Sequence, residues 1–384
     1  MTDDDFQTSA AKSANTRLAC PQDFISDAPF EFELGGSVPS LTLRYETHGT
    51  LNADRSNAIL VCHALSGDHH VAGQHTPADR KPGWWDAFVG PGCPLDTERF
   101  FIIGVNCVGG CQGSTGPLSP NPATGLPYGA DFPQLTMRDM VRAQRLLVRG
   151  LGIERLHAVI GGSMGGMQGL VWAVDFPQDT GRVVALACAA NQNARAIAFN
   201  EIGRVAIMSD PAWRGGHYAL GAGPKAGLAL ARMLGHVTYL SEAGMGRRFG
   251  RRAQEGACPA NVVVERGPFH AEFAVESYLN YQGLTFTERF DANSYLAITK
   301  AADRFDLAAG RSLEAVFAPV RARVCLIGFS SDLLYPPADN HDVLAALLRA
   351  GKNATYTELE TDAGHDAFLL PTAELFQAIR NGIE

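Results

Sequence analysis

The chain has 384 residues, 46% apolar and 19% charged, which is enough apolar surface for a large buried core and too ordered a composition for global disorder. Its formal net charge of −8, from 40 acidic and 32 basic side chains, lacks the basic face that general nucleic-acid binding needs. No apolar run reaches the roughly 18 residues of a membrane span, and the polar start MTDDDFQTSAAKSANTR is unlike a secretory signal, so a cytoplasmic protein is expected.

Residues 1–28 read as a flexible tail. LTLRYETHG (41–49) alternates apolar and polar residues, as a half-buried strand does. NAILVCHAL (57–65) and FFIIGVNCVGG (100–110) are continuous apolar runs, the mark of strands covered on both faces. TMRDMVRAQRLLVRGLGI (136–153) reads as a helix opened by a capping box from Thr136 to Asp139 and closed at Gly150 and Gly152. LHAVIGG (156–162) is the next buried strand, GMQGLVWAVDFP (166–177) the next helix, and RVVALACAA (182–190) the next strand. This alternation predicts an α/β fold with a mostly parallel sheet. From 191 to 317 the pattern turns helical. Strand signals return at RVCLIGFS (323–330) and ATYTELE (354–360), around the helix NHDVLAALLRAG, and PTAELFQAIRNGI closes the chain. The expected organisation is therefore a core from 29–190 and 318–384, interrupted by a helical lid over 191–317.

GGSMG (161–165) fits G-x-S-x-G between a buried strand and a helix, the setting of a nucleophile elbow. No lysine follows as a phosphate-binding P-loop requires, and the turn comes too late in the chain for a dinucleotide fingerprint. A serine nucleophile needs a base, and the base an orienting acid. On such a sheet the chain order is serine, acid, histidine. Only His341 and His365 follow the strand at 323–330. His341 falls within an amphipathic helix and reads as a surface residue. His365, in the loop TDAGHDAF, suits a mobile imidazole reaching back to Ser163. Asp332, just past the strand in GFSSDLLYPP, is the expected acid. The oxyanion donors expected are the backbone N–H groups of Met164 and Leu65.

Other reactive side chains read more quietly. Cys62, Cys188 and Cys325 lie in apolar runs and behave as small buried hydrophobes. Cys107 and Cys111 make a C-x₃-C pair without a matching second pair, so neither a metal nor a disulfide is expected. His63, His69 and His70 in CHALSGDHH have no nearby carboxylate at metal-ligand spacing and are read as structural or pocket-lining. The basic cluster GRRFGRRAQ (246–254) is either a solvated face or an anion patch.

The motifs NAILVCHALSGDHHVAG, KPGWWDAFVGPG, GGCQGSTGP, NPATGLPYG, GGSMGGMQ, IAFNEIGR, FDANSYL and GHDAFLL, in this order over roughly residues 30–380, resemble the homoserine O-acyltransferase family of methionine biosynthesis. The resemblance implies an α/β-hydrolase fold with a helical lid, a homodimer, and ping-pong acyl transfer through Ser163 with no permanently bound cofactor. Acyl-CoA would be the co-substrate and L-homoserine the acceptor. By position, Arg232 matches the family's substrate-binding arginine and Asp366 its acidic partner, which implies that they hold the substrate carboxylate and amine. Succinyl-using relatives place an arginine two residues after the catalytic aspartate. Here that position is Leu334, which implies acetyl-CoA. The chain departs from the family at Arg195 and Val205, where glutamine is usual, at Leu333 in place of a frequent tryptophan, and at Cys93 in place of a frequent lysine. Leu333 and Arg195 bear on acyl choice, so a succinyltransferase stays open. So do a serine O-acyltransferase or esterase with the same triad, and a non-catalytic binding protein.

Overall fold

The computed structural model describes residues 18–254 and 270–384. Eight strands form one sheet, in spatial order β1 (Gln22–Ser26), β4 (Leu41–His48), β6 (Phe101–Val105), β5 (Ala58–Cys62), β7 (Ala158–Gly162), β8 (Arg182–Leu186), β9 (Arg323–Phe329) and β10 (Ala354–Leu359). β4 pairs antiparallel with both of its neighbours, β1 and β6, and the remaining pairs are parallel. A separate two-stranded pair joins β2 (Phe30–Glu31) to β3 (Ser37–Val38).

The tail expected over 1–28 needs correcting. β1 occupies part of it and pairs with β4, Phe24 opposite Leu43. An edge strand of five residues, mostly exposed, carries no apolar run to reveal it. Residues 1–17 lie outside the described residues.

β5 and β7 are buried at every position, because helices cover both faces of the sheet. α1 (Met137–Gly150) starts with the expected capping box. The Thr136 hydroxyl accepts from the Asp139 N–H, and the Asp139 carboxylate accepts from the Thr136 N–H at 3.0 Å. α2 (Met164–Asp175) begins two residues earlier than its apolar pattern indicates, because the turn at Ser163 leads straight into it.

Between β8 and β9 come α3 (Ala194–Ser209), α4 (Lys225–Tyr239), α5 (Glu242–Arg248), α6 (Ala274–Arg289), α7 (Ala292–Asp303) and α8 (Leu313–Phe317). α4 packs between α3 and α6, and α3 also touches α7. The segment closes on itself at its base: the Gln192 N–H donates to the Phe305 carbonyl at 2.9 Å, and the Leu307 N–H to the Ala190 carbonyl at 2.8 Å. The return to the core thus falls near 307, ahead of the boundary expected at 317, and α8 packs on the core helix α9 (Pro337–Arg349). The chain ends in α10 (Ala373–Ile383). α1, α2 and α9 bury apolar residues in one core layer. α10 packs with Trp85 and Phe88 in the layer on the opposite face.

Candidate active site

The parallel strands put the ends of β5, β7, β8, β9 and β10 on one edge of the sheet, where ligands of open α/β folds bind. Ser163 follows β7 there with φ 57° and ψ −124°, a conformation that costs energy in a residue bearing a Cβ and is held by its surroundings. Its N–H donates to the Leu186 carbonyl of β8 at 2.8 Å. The turn is possible because strand and helix nearly touch. A Cβ on Gly165 would lie 2.1 Å from the Cys62 carbonyl oxygen, and one on Gly161 2.5 Å from the same atom. A buried polar chain braces the turn from below. Gln168 Nε2 donates to the carbonyls of Met164 (3.2 Å) and His63 (3.3 Å), Gln144 Nε2 donates to Gln168 Oε1 at 2.6 Å, and Trp172 Nε1 donates to Gln144 Oε1 at 2.9 Å.

Asp332 follows β9 and His365 follows β10. Both are buried, with His365 Nδ1 2.8 Å from Asp332 Oδ2. Asp332 Oδ1 accepts from the N–H groups of Leu334 (2.9 Å) and Tyr335 (3.1 Å), which fixes the carboxylate. The rings of Tyr335, Phe368 and Tyr239 stand around the imidazole, with centroids 5.4, 5.7 and 6.0 Å away. His365 is therefore buried and pinned, where a mobile imidazole was expected from its loop. The Phe368 ring comes so near β7 that a Cβ on Gly162 would lie 2.3 Å from it, so the His365 turn sits against the residue preceding Ser163. Burial alone would push the His365 pKa down. The charge and hydrogen bond of Asp332, and then the charge of Asp366, outweigh it and leave the pKa above the ordinary 6.5.

The lid touches this turn directly. Gly364 has φ +78°, and a Cβ there would lie 2.4 Å from the Tyr239 carbonyl oxygen and 2.6 Å from the Ser241 nitrogen, at the end of α4. Ser241 Oγ also donates to the Asp362 carbonyl, and Arg247 pairs with the Asp362 carboxylate. From the core side, Trp85 Nε1 donates to the Phe368 carbonyl at 3.0 Å, which gives the KPGWW motif a task at the site.

Met164, as the first residue of α2, presents one of the N–H groups that a helix start leaves free of intrahelical partners. Leu65 lies three residues past β5, half-buried against the core. On α4, Arg232 lies over the rings of Phe286 (4.9 Å) and Tyr239 (5.7 Å), and its guanidinium donates to Ser66 Oγ at 3.3 Å. Asp366 adjoins His365. Burial raises its pKa, against the opposing charges of His365 and Arg232. Arg289, which the sequence reading passed over, donates to the Ser66 carbonyl at 2.8 Å, so two lid arginines meet one loop. Leu334 is buried beside Asp332, whereas Leu333 is 48% exposed and its carbonyl accepts from Arg195 at 3.1 Å. Of the basic cluster, Arg248 lies over Phe249 and Tyr278 and Arg251 over Phe273, so aromatic faces engage part of it.

The three histidines of CHALSGDHH separate. His63 is structural: its Nε2 accepts from the Cys107 N–H at 3.0 Å while Nδ1 faces the Ala64 carbonyl at 2.7 Å. His69 and His70 instead meet the carboxylate of Glu46, together with His75. Glu46 lies on β4, too far back in the sequence for residue spacing to reveal it.

A serine at a strained strand-to-helix turn, with a histidine–aspartate pair at later ends of the same sheet edge, defines a protein of the α/β-hydrolase class, and a family model described as the alpha/beta hydrolase fold matches residues 57–372. A homoserine O-acetyltransferase of Caulobacter vibrioides is 54% identical over 351 residues, covering 90% of each chain. A homoserine O-succinyltransferase of Alkalilimnicola ehrlichii is 52% identical over 365 residues, covering 93% of each. Among solved structures, a homoserine O-acetyltransferase from Bacillus anthracis superposes with a TM-score of 0.87 at 32% identity, over 96% of this chain and 98% of that one. The chain belongs to the homoserine O-acyltransferase family.

Proposed function

We propose that this protein transfers the acetyl group of acetyl-CoA to the hydroxyl of L-homoserine, a step of methionine biosynthesis, through an acyl-Ser163 intermediate. The observation that carries this reading is the His365–Asp332 pair, seated on the same sheet edge as Ser163 beneath a lid helix bearing Arg232. In the first half-reaction Ser163 Oγ gives its proton to His365 and attacks the thioester carbonyl. The N–H groups of Met164 and Leu65 stabilise the oxyanion, and the CoA thiol leaves with the proton from His365. In the second, His365 takes the proton of the homoserine hydroxyl as that oxygen attacks the ester, and Ser163 is reprotonated as it leaves. Arg232 holds the homoserine carboxylate. Asp366 holds the amine, whose positive charge offsets the burial that raises this carboxyl's pKa. The lid keeps competing water from the ester.

Because His365 must be neutral to act as base, kcat/KM should rise with pH and level off above a midpoint higher than 6.5. The stability linkage runs the other way. A histidine whose folded pKa is raised contributes stability below its unfolded pKa, and that contribution is lost as pH rises through the folded value. A profile with its midpoint below 6.5 would contradict the assignment.

Acetyl is the favoured donor because Leu334 puts a buried apolar side chain beside Asp332 and offers a succinyl carboxylate no partner. Arg195, donating to the Leu333 carbonyl, is the specific reason to keep succinyl-CoA as the second reading. Steady-state kinetics with homoserine should give a kcat/KM for acetyl-CoA at least about tenfold above that for succinyl-CoA, a margin of about 1.4 kcal/mol. Leu334→Arg should narrow that margin. A wild-type preference for succinyl-CoA that Arg195→Ala removes would establish the second reading instead. Serine and water offered as competing acceptors separate the transferase from an esterase. Ile202 and Val205 of α3 are about half exposed, an apolar surface suited to the proposed homodimer. Light scattering should then give twice the 41.0 kDa chain mass, and a monomer mass would count against it. No described helix is long and apolar enough to cross a membrane.

A further inference from the structure

The carboxylate of Glu46 is fully buried, and the imidazoles of His69, His70 and His75 converge on it. His75 Nε2 contacts Oε1, and His70 Nδ1 is 3.1 Å from Oε2. His69 differs. Its side chain is only 7% exposed, its Nδ1 has no hydrogen-bond partner among the described residues, and its Nε2 stops 3.6 Å from Glu46 Oε1. That is past hydrogen-bond reach. It is close to the roughly 3.3 Å that separates two ligand atoms of a tetrahedral metal with bonds of about 2.0–2.1 Å. One ligand atom each from Glu46, His69 and His75 can be chosen within 4.8 Å of one another.

We infer that Glu46, His69 and His75 form a binding site for a divalent transition-metal ion of the zinc class, separate from the Ser163 machinery. Two imidazoles and one carboxylate are a borderline donor set of the kind zinc, cobalt and nickel take, with a fourth position left for water. His70, on the second carboxylate oxygen, is the orienting partner such ligands commonly have. His75, with a side chain 35% exposed, provides the way in from solvent.

The supporting frame is already rigid. Glu46 sits inside β4, opposite Gly104 of β6. The loop carrying His69 is tied down by Trp84 Nε1 donating to the Asp68 carbonyl at 3.0 Å, and by the His70 N–H donating to Asp68 Oδ1 at 2.8 Å. A bound ion would join this loop to β4 and fix the far end of the segment that begins at Leu65.

The test uses the full chain, stripped with a chelator and desalted, then titrated with Zn²⁺ against a chromophoric chelator and with Co²⁺ by visible absorption. We expect one saturable ion per chain, tetrahedral Co²⁺ bands displaced by Zn²⁺, and a rise in the thermal midpoint on loading. His75→Gln alters a partly exposed side chain and should fold. It should weaken binding by about 100-fold or more, beyond the usual loss for an outer-shell partner, and lose the thermal shift. Glu46→Gln should abolish the site, and if that variant does not fold, His75→Gln decides alone. Absence of saturable binding in the wild type, or binding of unchanged stoichiometry and affinity in His75→Gln, would overturn the inference. Neither readout depends on acyl transfer, so it stands or falls apart from the proposed activity.

Discussion

Ser163→Ala is expected to lower kcat/KM for acyl transfer by about 10⁶-fold while leaving the thermal midpoint nearly unchanged. The two parts of this expectation have different origins. The fold around residue 163 is held by its backbone, through the N–H bond to Leu186 and the close approach of Gly165 to the Cys62 carbonyl, and neither uses the hydroxyl. Alanine also accepts the same positive φ with no more strain than serine. The hydroxyl oxygen, by contrast, is the only protein atom in the proposed sequence that bonds to the acyl group. With it gone, the oxyanion donors still bind but have no tetrahedral intermediate to stabilise. Intact mass after mixing with acetyl-CoA, without acceptor, should show one added acetyl group on the wild type and none on the variant. An adduct that persists in Ser163→Ala would place the nucleophile elsewhere.

Asp332→Asn is expected to cost about 10⁴-fold in kcat, again with little loss of fold. The hydrogen bonds of Asp332 force this outcome. Its Oδ1 accepts two backbone N–H groups, from Leu334 and Tyr335, so an asparagine must keep its carbonyl oxygen on that side. Its amide NH₂ then faces His365 Nδ1, where the carboxylate had accepted. The ring is driven to the tautomer with its proton on Nε2, and Nε2 can no longer take one from Ser163. The variant also removes the charge that holds the His365 pKa up, so whatever activity remains should titrate at lower pH. A loss smaller than about tenfold in kcat would show that Asp332 does not orient the base.

The sequence makes the central sheet and the order of the proposed triad readable for a common reason. Strands buried on both faces must be continuous apolar runs, and β5, β7 and β9 are. Once their order is known, the loops after them are the loops at one edge, so Ser163, Asp332 and His365 can be picked by position. What escapes notice is set by spatial neighbours. β1 is short and exposed on the sheet edge, so it reads as tail. The lid closes where Gln192 meets Phe305, a contact with no compositional sign. Glu46 reaches the histidine loop because β4 lies beside β6, which lies beside β5, a strand order no local pattern encodes. The burial of His365 likewise depends on Tyr239, Tyr335 and Phe368, from three separate segments.

The close approach of Gly364 to the end of α4 joins the proposed lid to the turn that carries the proposed base. A lid that merely shaded the site could lift and leave the triad intact, and the acyl-enzyme would then hydrolyse during every opening. Here, raising α4 takes away the floor on which the His365 turn rests, along with the Tyr239 ring beside the imidazole. In the proposed reaction, solvent would then gain entry only as the proposed base lost its seat. In the proposed reaction this arrangement would act as an interlock: a conformation that admitted bulk water would be the one least able to activate it, so an acyl group waiting for its acceptor would be protected by geometry as well as by exclusion.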